Sequence, residues 1–274
     1  MTDSNQTITL RTVPALAGWQ WIMRGWQLLK ANPIHIHMAA FFFLGVLGLV
    51  SVLPVVGSVA AALLMPALYL GVMTTIAQAE NTSSSQPKSL LDALGSPFRK
   101  DAQGERSAFK RLAMLGLVYA IAVMGVLGLY SLFDDGEAFK SIAQGATLPQ
   151  DPQARAELVS GMMSSFAGVI AFYAPVSMAF WFTQQLVGWH GQTISKAVFF
   201  SWLGCWRNKG AFAVYAIAWV LIFFLGSMGI AAISSLLGSP GIAGMLLTPL
   251  SLFLMVWVMC SFYASYESLV QIVE

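Results

Sequence analysis

LGVLGLVSVLPVVGSVAAALLMP, residues 44–66, sets a Gly-x-x-Gly step (Gly45, Gly48) inside one apolar run and a proline (Pro66) inside the next. The pair of features recurs twice. MGVLGL at 124–129 carries Gly125 and Gly128 and precedes Pro175; LGSMGI at 225–230 carries Gly226 and Gly229 and precedes Pro249. Gly48 and Pro66 are 18 residues apart and Gly229 and Pro249 are 20 apart, whereas 47 separate Gly128 from Pro175, so the middle copy carries an insertion. Similarity at matching offsets signals one structural unit used repeatedly. The expected unit is a membrane hairpin written three times, in repeats near 13–80, 89–186 and 192–267 of a single domain covering 1–274.

Composition sets the class. The chain is 57% hydrophobic and 9% charged, where a soluble domain carries roughly a quarter charged residues. A spanning helix needs about 20 mainly apolar residues, and the charge-poor stretches hold six of them, near 38–54, 58–79, 111–133, 161–185, 210–236 and 242–266. Barrel strands would show short runs of alternating polarity, and none appear. The expected fold is therefore all-α: a polytopic membrane protein of six transmembrane helices, arranged as three tandem hairpins about a pseudo-threefold axis along the membrane normal. Residues 1–12 are polar and show no cleavable signal.

Charge orients the spans. Twelve of the fourteen Lys and Arg fall in the N-terminal arm (Arg11, Arg24, Lys30), in residues 80–111 (Lys88, Arg99, Lys100, Arg106, Lys110, Arg111) and in 186–209 (Lys196, Arg207, Lys209). Residues 134–160 are acidic instead, with Asp134, Asp135, Glu137, Asp151 and Glu157. The positive-inside rule then puts both termini in the cytoplasm of a bacterial inner membrane. All nine Trp lie on that same side, where they anchor at the headgroup level. Cys205 and Cys260 fall there too, so no structural disulfide is expected.

For the glycines the expected role is helix packing, since small residues let backbones approach. Each proline removes a helix hydrogen bond and frees the carbonyl four residues earlier, at Ala62, Ala171 and Met245; static kink and hinge are both open readings. Amphipathic stretches precede the hairpins and are expected to lie in the membrane interface. In the first, Trp19, Ile22, Met23, Trp26 and Leu29 share a face. In the third, Val198, Phe199, Trp202 and Trp206 do, ahead of Arg207-Asn208-Lys209. The middle one, 89–98, is broken by Gly95 and Pro97.

Chemistry-bearing residues are scarce. No ionisable side chain sits deep in a span, which disfavours a proton-driven carrier. His35 and His37 have no neighbouring Cys or carboxylate to complete a metal site. His190, in GWHGQT, is either a turn histidine or a headgroup or partner contact. Phosphate-loop, nucleophile-elbow and zinc-protease motifs are missing. DDGE at 134–137 reads as solvated charge, and 145–161 as a turn-rich stretch leading into a short helix from Asp151 with Pro152 at its first position.

RGWQLLKANPIHI, LPVVGSVAAALLMPALYLGVM, VGWHGQTISKAVFFSWLGCWRNKGAF and LLGSP together resemble an uncharacterised family of bacterial six-helix inner-membrane proteins. The resemblance covers nearly the whole chain. The chain is also distantly similar to the membrane domain accompanying some glycerophosphodiester phosphodiesterases, but it has no counterpart of their catalytic domain. The resulting expectation is a non-enzymatic inner-membrane protein acting by protein or lipid contact, as an accessory subunit or scaffold. Arg24, Lys30, Lys110, Arg111, His190, Arg207 and Lys209 are its expected contacts. The alternative is a transporter or channel for a lipid or neutral solute without ion coupling, its path bordered by Thr75, Gln78, Gln184, Gln185 and Ser235. Expected partners are membrane lipids and another membrane protein complex; no cofactor, metal or nucleic acid is expected.

Overall fold

In a bilayer every backbone polar group must be satisfied within the chain, and the apolar runs answer that demand as long helices. The structure, a computed structural model, describes residues 7–54, 56–80, 89–100, 107–134, 151–238 and 240–273. The element order begins with β1 (Thr7–Leu10), α1 (Ala17–Ala31), α2 (Pro33–Ser51), α3 (Val56–Glu80), α4 (Leu90–Gly95) and a 3-10 turn at Ser96–Phe98. It continues with α5 (Ser107–Tyr130), α6 (Pro152–Phe180), α7 (Thr183–Gly188), α8 (Ile194–Arg207), α9 (Lys209–Leu236), α10 (Pro240–Leu269) and β2 (Val270–Val273). Among the described residues six helical segments are long and apolar enough to cross a membrane: α2, α3, α5, α6 continuing into α7, α9 and α10. At a rise of about 1.5 Å per residue α3 is about 37 Å long, more than the roughly 30 Å hydrocarbon core. Residues 81–88, 101–106 and 135–150, with most of the acidic DDGE run and the start of the turn-rich stretch, lie outside the described residues.

Local chemistry sets several boundaries. Pro33 opens α2, and Pro152 opens α6 behind Asp151, whose carboxylate accepts from the Gln153 and Ala154 amides at 3.3 and 3.2 Å. The expected helix from Asp151 is therefore present, but it runs unbroken into the span. Ser89 caps α4 by accepting from the Asp92 amide at 3.1 Å.

Consecutive spans pack as α2 with α3, α5 with α6 and α9 with α10. The shorter helices fill the joints: α4 rests on α3, α8 on α6, and α1 most extensively on α10. Buried side chains gather toward the end that carries both chain termini, among them Ile22, Leu29, Ile36, Met73, Leu112, Phe182, Leu186 and Leu269. Toward the opposite end apolar side chains such as Leu49, Met124, Phe224 and Leu236 point outward. Lipid is as apolar as leucine, so nothing drives those halves together.

Three expectations change. First, among the described residues the Gly-x-x-Gly steps do not pack helices: a Cβ on Gly45, Gly48, Gly125, Gly128 or Gly229 would meet none of them within 4 Å, and one on Gly226 would touch the Leu250 side chain at 3.3 Å. Close approach occurs at other glycines. A Cβ on Gly18 would sit 2.1 Å from the Ala211 carbonyl oxygen, on Gly25 2.6 Å from the Ser261 amide nitrogen, and on Gly116 2.1 Å from the Ala62 carbonyl oxygen. Ala62 is four residues before Pro66, so the carbonyl that the proline deprives of its helix partner faces the bare Cα of Gly116.

Second, α1 is part of the core rather than an interfacial anchor. Its buried face is Trp21, Ile22, Gly25, Leu28 and Leu29, while Trp19 and Met23 of the expected face are 46% and 41% exposed. Gly18 and Gly25, two turns apart, turn that face onto α9 and α10. Of the α8 stripe Phe199 and Trp206 are exposed, whereas Val198 and Trp202 are half-buried and Ala197, Ser201, Gly204 and Cys205 turn inward. Third, residues 7–10 form a strand that pairs antiparallel with residues 270–273, Ile8 opposite Ile272 and Leu10 opposite Val270. Pro66, Pro175 and Pro249 all sit inside continuous helices, and Cys205 and Cys260 are free.

The glycine geometry gives a paired prediction. Gly25→Ala and Gly116→Ala place a methyl against backbone that cannot rotate away and should each cost about 1–3 kcal/mol. Gly125→Ala adds helix propensity at an open site and should be neutral or stabilising by up to about 1 kcal/mol. Thermal unfolding in a mild detergent checks both; equal melting temperatures for Gly25→Ala and Gly125→Ala would contradict the packing.

Candidate functional site

The most distinctive string of the sequence, Trp189-His190-Gly191, is the C-terminal turn of α7. The Trp189 amide donates to the Gln185 carbonyl at 2.8 Å and the Gln192 amide to the Leu186 carbonyl at 3.1 Å. Gly191 sits at φ +63°, a left-handed conformation that closes helices and favours glycine. This turn aims Trp189 and His190 at the last turns of α10. Trp189 Nε1 donates to Thr74 Oγ1 at 3.1 Å, and the ring lies 5.3 Å from that of Tyr266 and 6.4 Å from that of Tyr263. His190 Nε2 shares a 2.6 Å hydrogen bond with the Tyr266 hydroxyl. Burial lowers the pKa of His190 below the ordinary imidazole value.

Beside it, Arg24 of α1 forms an ion pair with Glu80 at the end of α3, and the Tyr263 hydroxyl donates to the same carboxylate at 3.3 Å. Tyr263 and Tyr266 are one turn apart on α10, so Arg24 and His190 are held at a single helix end. Arg111, in the first turn of α5, lies over the turn as well: its Nη2 is 3.9 Å from where a Gly191 Cβ would stand. Among the described residues its Nε is buried without a hydrogen-bond partner, as is Oε1 of the buried Gln185.

Arg207 and Lys209 belong to a separate cluster at the junction of α8 and α9. Asn208 organises it: its amide nitrogen donates to the Arg11 and Gly204 carbonyls at 3.0 and 2.8 Å, and its Oδ1 accepts from the Val13 amide at 2.8 Å. Arg207 Nη2 donates to Thr12 Oγ1 at 3.1 Å, and the Lys209 ammonium lies 5.3 Å from the centre of the Trp206 ring. Lys30 is exposed with its ammonium 5.5 Å from the Trp26 ring, and Lys110 is exposed on α5. Arg24, Arg111 and His190 of the expected contact residues thus meet at one helix end, and Arg207 and Lys209 at the α8–α9 junction. Thr75 and Gln185 are buried near the termini and Ser235 is exposed at the opposite end; the Thr75 hydroxyl donates to its own helix at the Gly71 carbonyl.

Sequence reasoning missed Glu80, Tyr263, Tyr266 and Asn208. A carboxylate ending an apolar span opposite a lone arginine was a legible signal for Glu80. Asn208, set between two cations, carried none.

These features define a polytopic α-helical membrane protein with a tied-off terminal end. The chain is 32% identical over 255 residues, 93% of its own length and 91% of the relative's, to a probable inner membrane protein of Burkholderia thailandensis. It belongs to that family of inner membrane proteins, as a multi-pass member. Nothing in the match links it to the glycerophosphodiester phosphodiesterases. No family model matches the chain, and no solved structure does.

The depressed His190 pKa makes a signed prediction. The unfolded chain takes up the proton first, so this contribution to stability is complete above the ordinary imidazole pKa of about 6.5 and is lost as pH falls below it toward the folded value. The melting temperature should drop between pH 7.5 and 5, and His190→Gln should flatten that drop. An unchanged slope in the variant would exclude His190 as its source.

Proposed function

We propose that this protein is a non-enzymatic accessory or scaffold component of the inner membrane, working by contact with a second membrane protein. The observation that carries the reading is the outward placement of Gly45, Gly48, Gly125, Gly128 and Gly229 on α2, α5 and α9. Bare glycine steps on lipid-facing helices are where a foreign helix can approach most closely. Among the described residues those surfaces meet nothing within 4 Å, which supports an intermolecular role. Side chains packed across the terminal end, Phe182, Met73, Ile76, Leu115 and Leu269 among them, favour contact over conduction.

The same reading takes the spans as three hairpins about a pseudo-threefold axis. It is supported by the way each lead-in helix rests on the second span of the preceding unit: α4 on α3, α8 on α6 and, closing the circle, α1 on α10. Orientation follows from charge. Arg24, Lys30, Lys110, Arg111, Arg207 and Lys209 all flank the terminal end, which the positive-inside rule assigns to the cytoplasm.

Extraction in mild detergent should recover a second membrane protein in fixed ratio. Leucine at Gly125 and Gly128 should reduce that recovery by tenfold or more while leaving the melting temperature within about 2 °C, since a surface change costs about 0.5 kcal/mol or less. A clean, solitary protein in both cases would overturn the reading.

A further inference from the structure

Between α1 and α9 runs an open groove of about 500 Å³ with an almost wholly apolar lining. Leu16 and Trp19 form one wall, and Val214, Ile217, Leu221 and Leu225, at helical spacing on α9, form the other. From Val214 to Leu225 the groove follows α9 for about 16 Å, close to half of the roughly 30 Å hydrocarbon core, the depth of one leaflet.

Two cations flank the start of α9, from which this wall of the groove descends. Gly210, one turn before Val214, is exposed and faces Ala15, the neighbour of Leu16: a Cβ there would lie 3.5 Å from the Ala15 Cβ. Lys209 precedes it, and Arg207 is held beside the same segment by its bond to Thr12. Asn208 directs its side chain to the Arg11 and Gly204 carbonyls and the Val13 amide, so α9 begins without a side-chain cap, and its Ala211 amide donates to the Asn208 carbonyl at 2.9 Å. No Asp or Glu occurs between Glu157 and Glu267, which leaves the positive charge of this stretch uncompensated by its own neighbours.

We propose that this groove is a binding seat for one anionic phospholipid, with an acyl chain lying along α9 between Leu16 and Leu225 and the headgroup phosphate at Arg207 and Lys209. The apolar channel selects a chain of leaflet length, and the cations select the charge. Neither feature depends on the glycine surfaces assigned to a protein partner.

Phosphatidylglycerol and phosphatidylcholine added to the purified protein in detergent provide the test, read as the rise in melting temperature and as lipid retained in native mass spectrometry. Phosphatidylglycerol should stabilise and stay bound at about one per chain, and phosphatidylcholine and glycerol phosphate should do neither. Arg207→Gln and Lys209→Gln should each weaken retention about fivefold, the effect of about one basic residue near an anionic headgroup. Leu221→Trp and Ile217→Trp, which fill the groove at lipid-facing positions, should abolish it while preserving the melting temperature without lipid. Lys196→Gln on α8 should change nothing. Equal stabilisation by phosphatidylcholine or by glycerol phosphate, or retention unaltered in both tryptophan variants, would overturn the proposal.

Discussion

Everything at the terminal end depends on how closely α1 can lie against α9 and α10. Two missing side chains set that distance. At Gly18 a methyl would overlap the Ala211 carbonyl, and at Gly25 it would overlap the backbone of Ser261. Without those approaches Trp21 could not reach Phe212 at 5.1 Å, nor Trp26 reach Trp257 at 5.1 Å, and the Trp257 indole could not donate to the Ile22 carbonyl at 2.9 Å. The first helix thereby joins the last, and the strand pair β1–β2 and the bonds of Asn208 fasten the chain ends over the joint. In lipid, where apolar burial offers no drive between spans, backbone proximity and hydrogen bonds of this kind carry the association.

The prolines show the same economy of backbone. Pro66 leaves the Ala62 carbonyl without its helical donor, and Gly116 of α5 fills the space above it with a bare Cα. A Cα–H group so placed is a weak partner for that oxygen, yet better than hydrocarbon. The glycine and the proline therefore work as one contact between two spans. Pro66 is buried in that contact, whereas Pro175 and Pro249, also inside continuous helices, are exposed.

Among the described residues the far end holds the Tyr130 hydroxyl beside the Asp134 carboxylate and the Ser165 carbonyl, but two polar sets gather at the terminal end, where water and headgroups can share them. Arg24, Glu80 and Tyr263 form one set and His190, Tyr266, Trp189 and Thr74 another, both hung on the last turns of α10. Their partners come from helices far apart in sequence, so this end behaves as one cross-linked layer from which the barer halves of the spans extend.

Hydrophobic run length and charge asymmetry alone were enough for the class, the number of spans and the residues that flank them, because bilayer thickness imposes its own ruler on any sequence. The Asp151-Pro152 helix start and the Gly95-Pro97 break were equally legible, since caps and breakers act over a few residues. What local sequence leaves open is which face of a helix meets which neighbour. Gly45 and Gly18 are the same residue in similar apolar surroundings, and only the tertiary arrangement puts the second against a carbonyl and the first against lipid. Trp19 and Trp21 share one helix and one periodicity, yet the buried one is chosen by where α9 and α10 stand. The pairing of Thr7–Leu10 with Val270–Val273 joins segments some 260 residues apart, a contact with no local signature because loop closure is settled by the whole bundle between them.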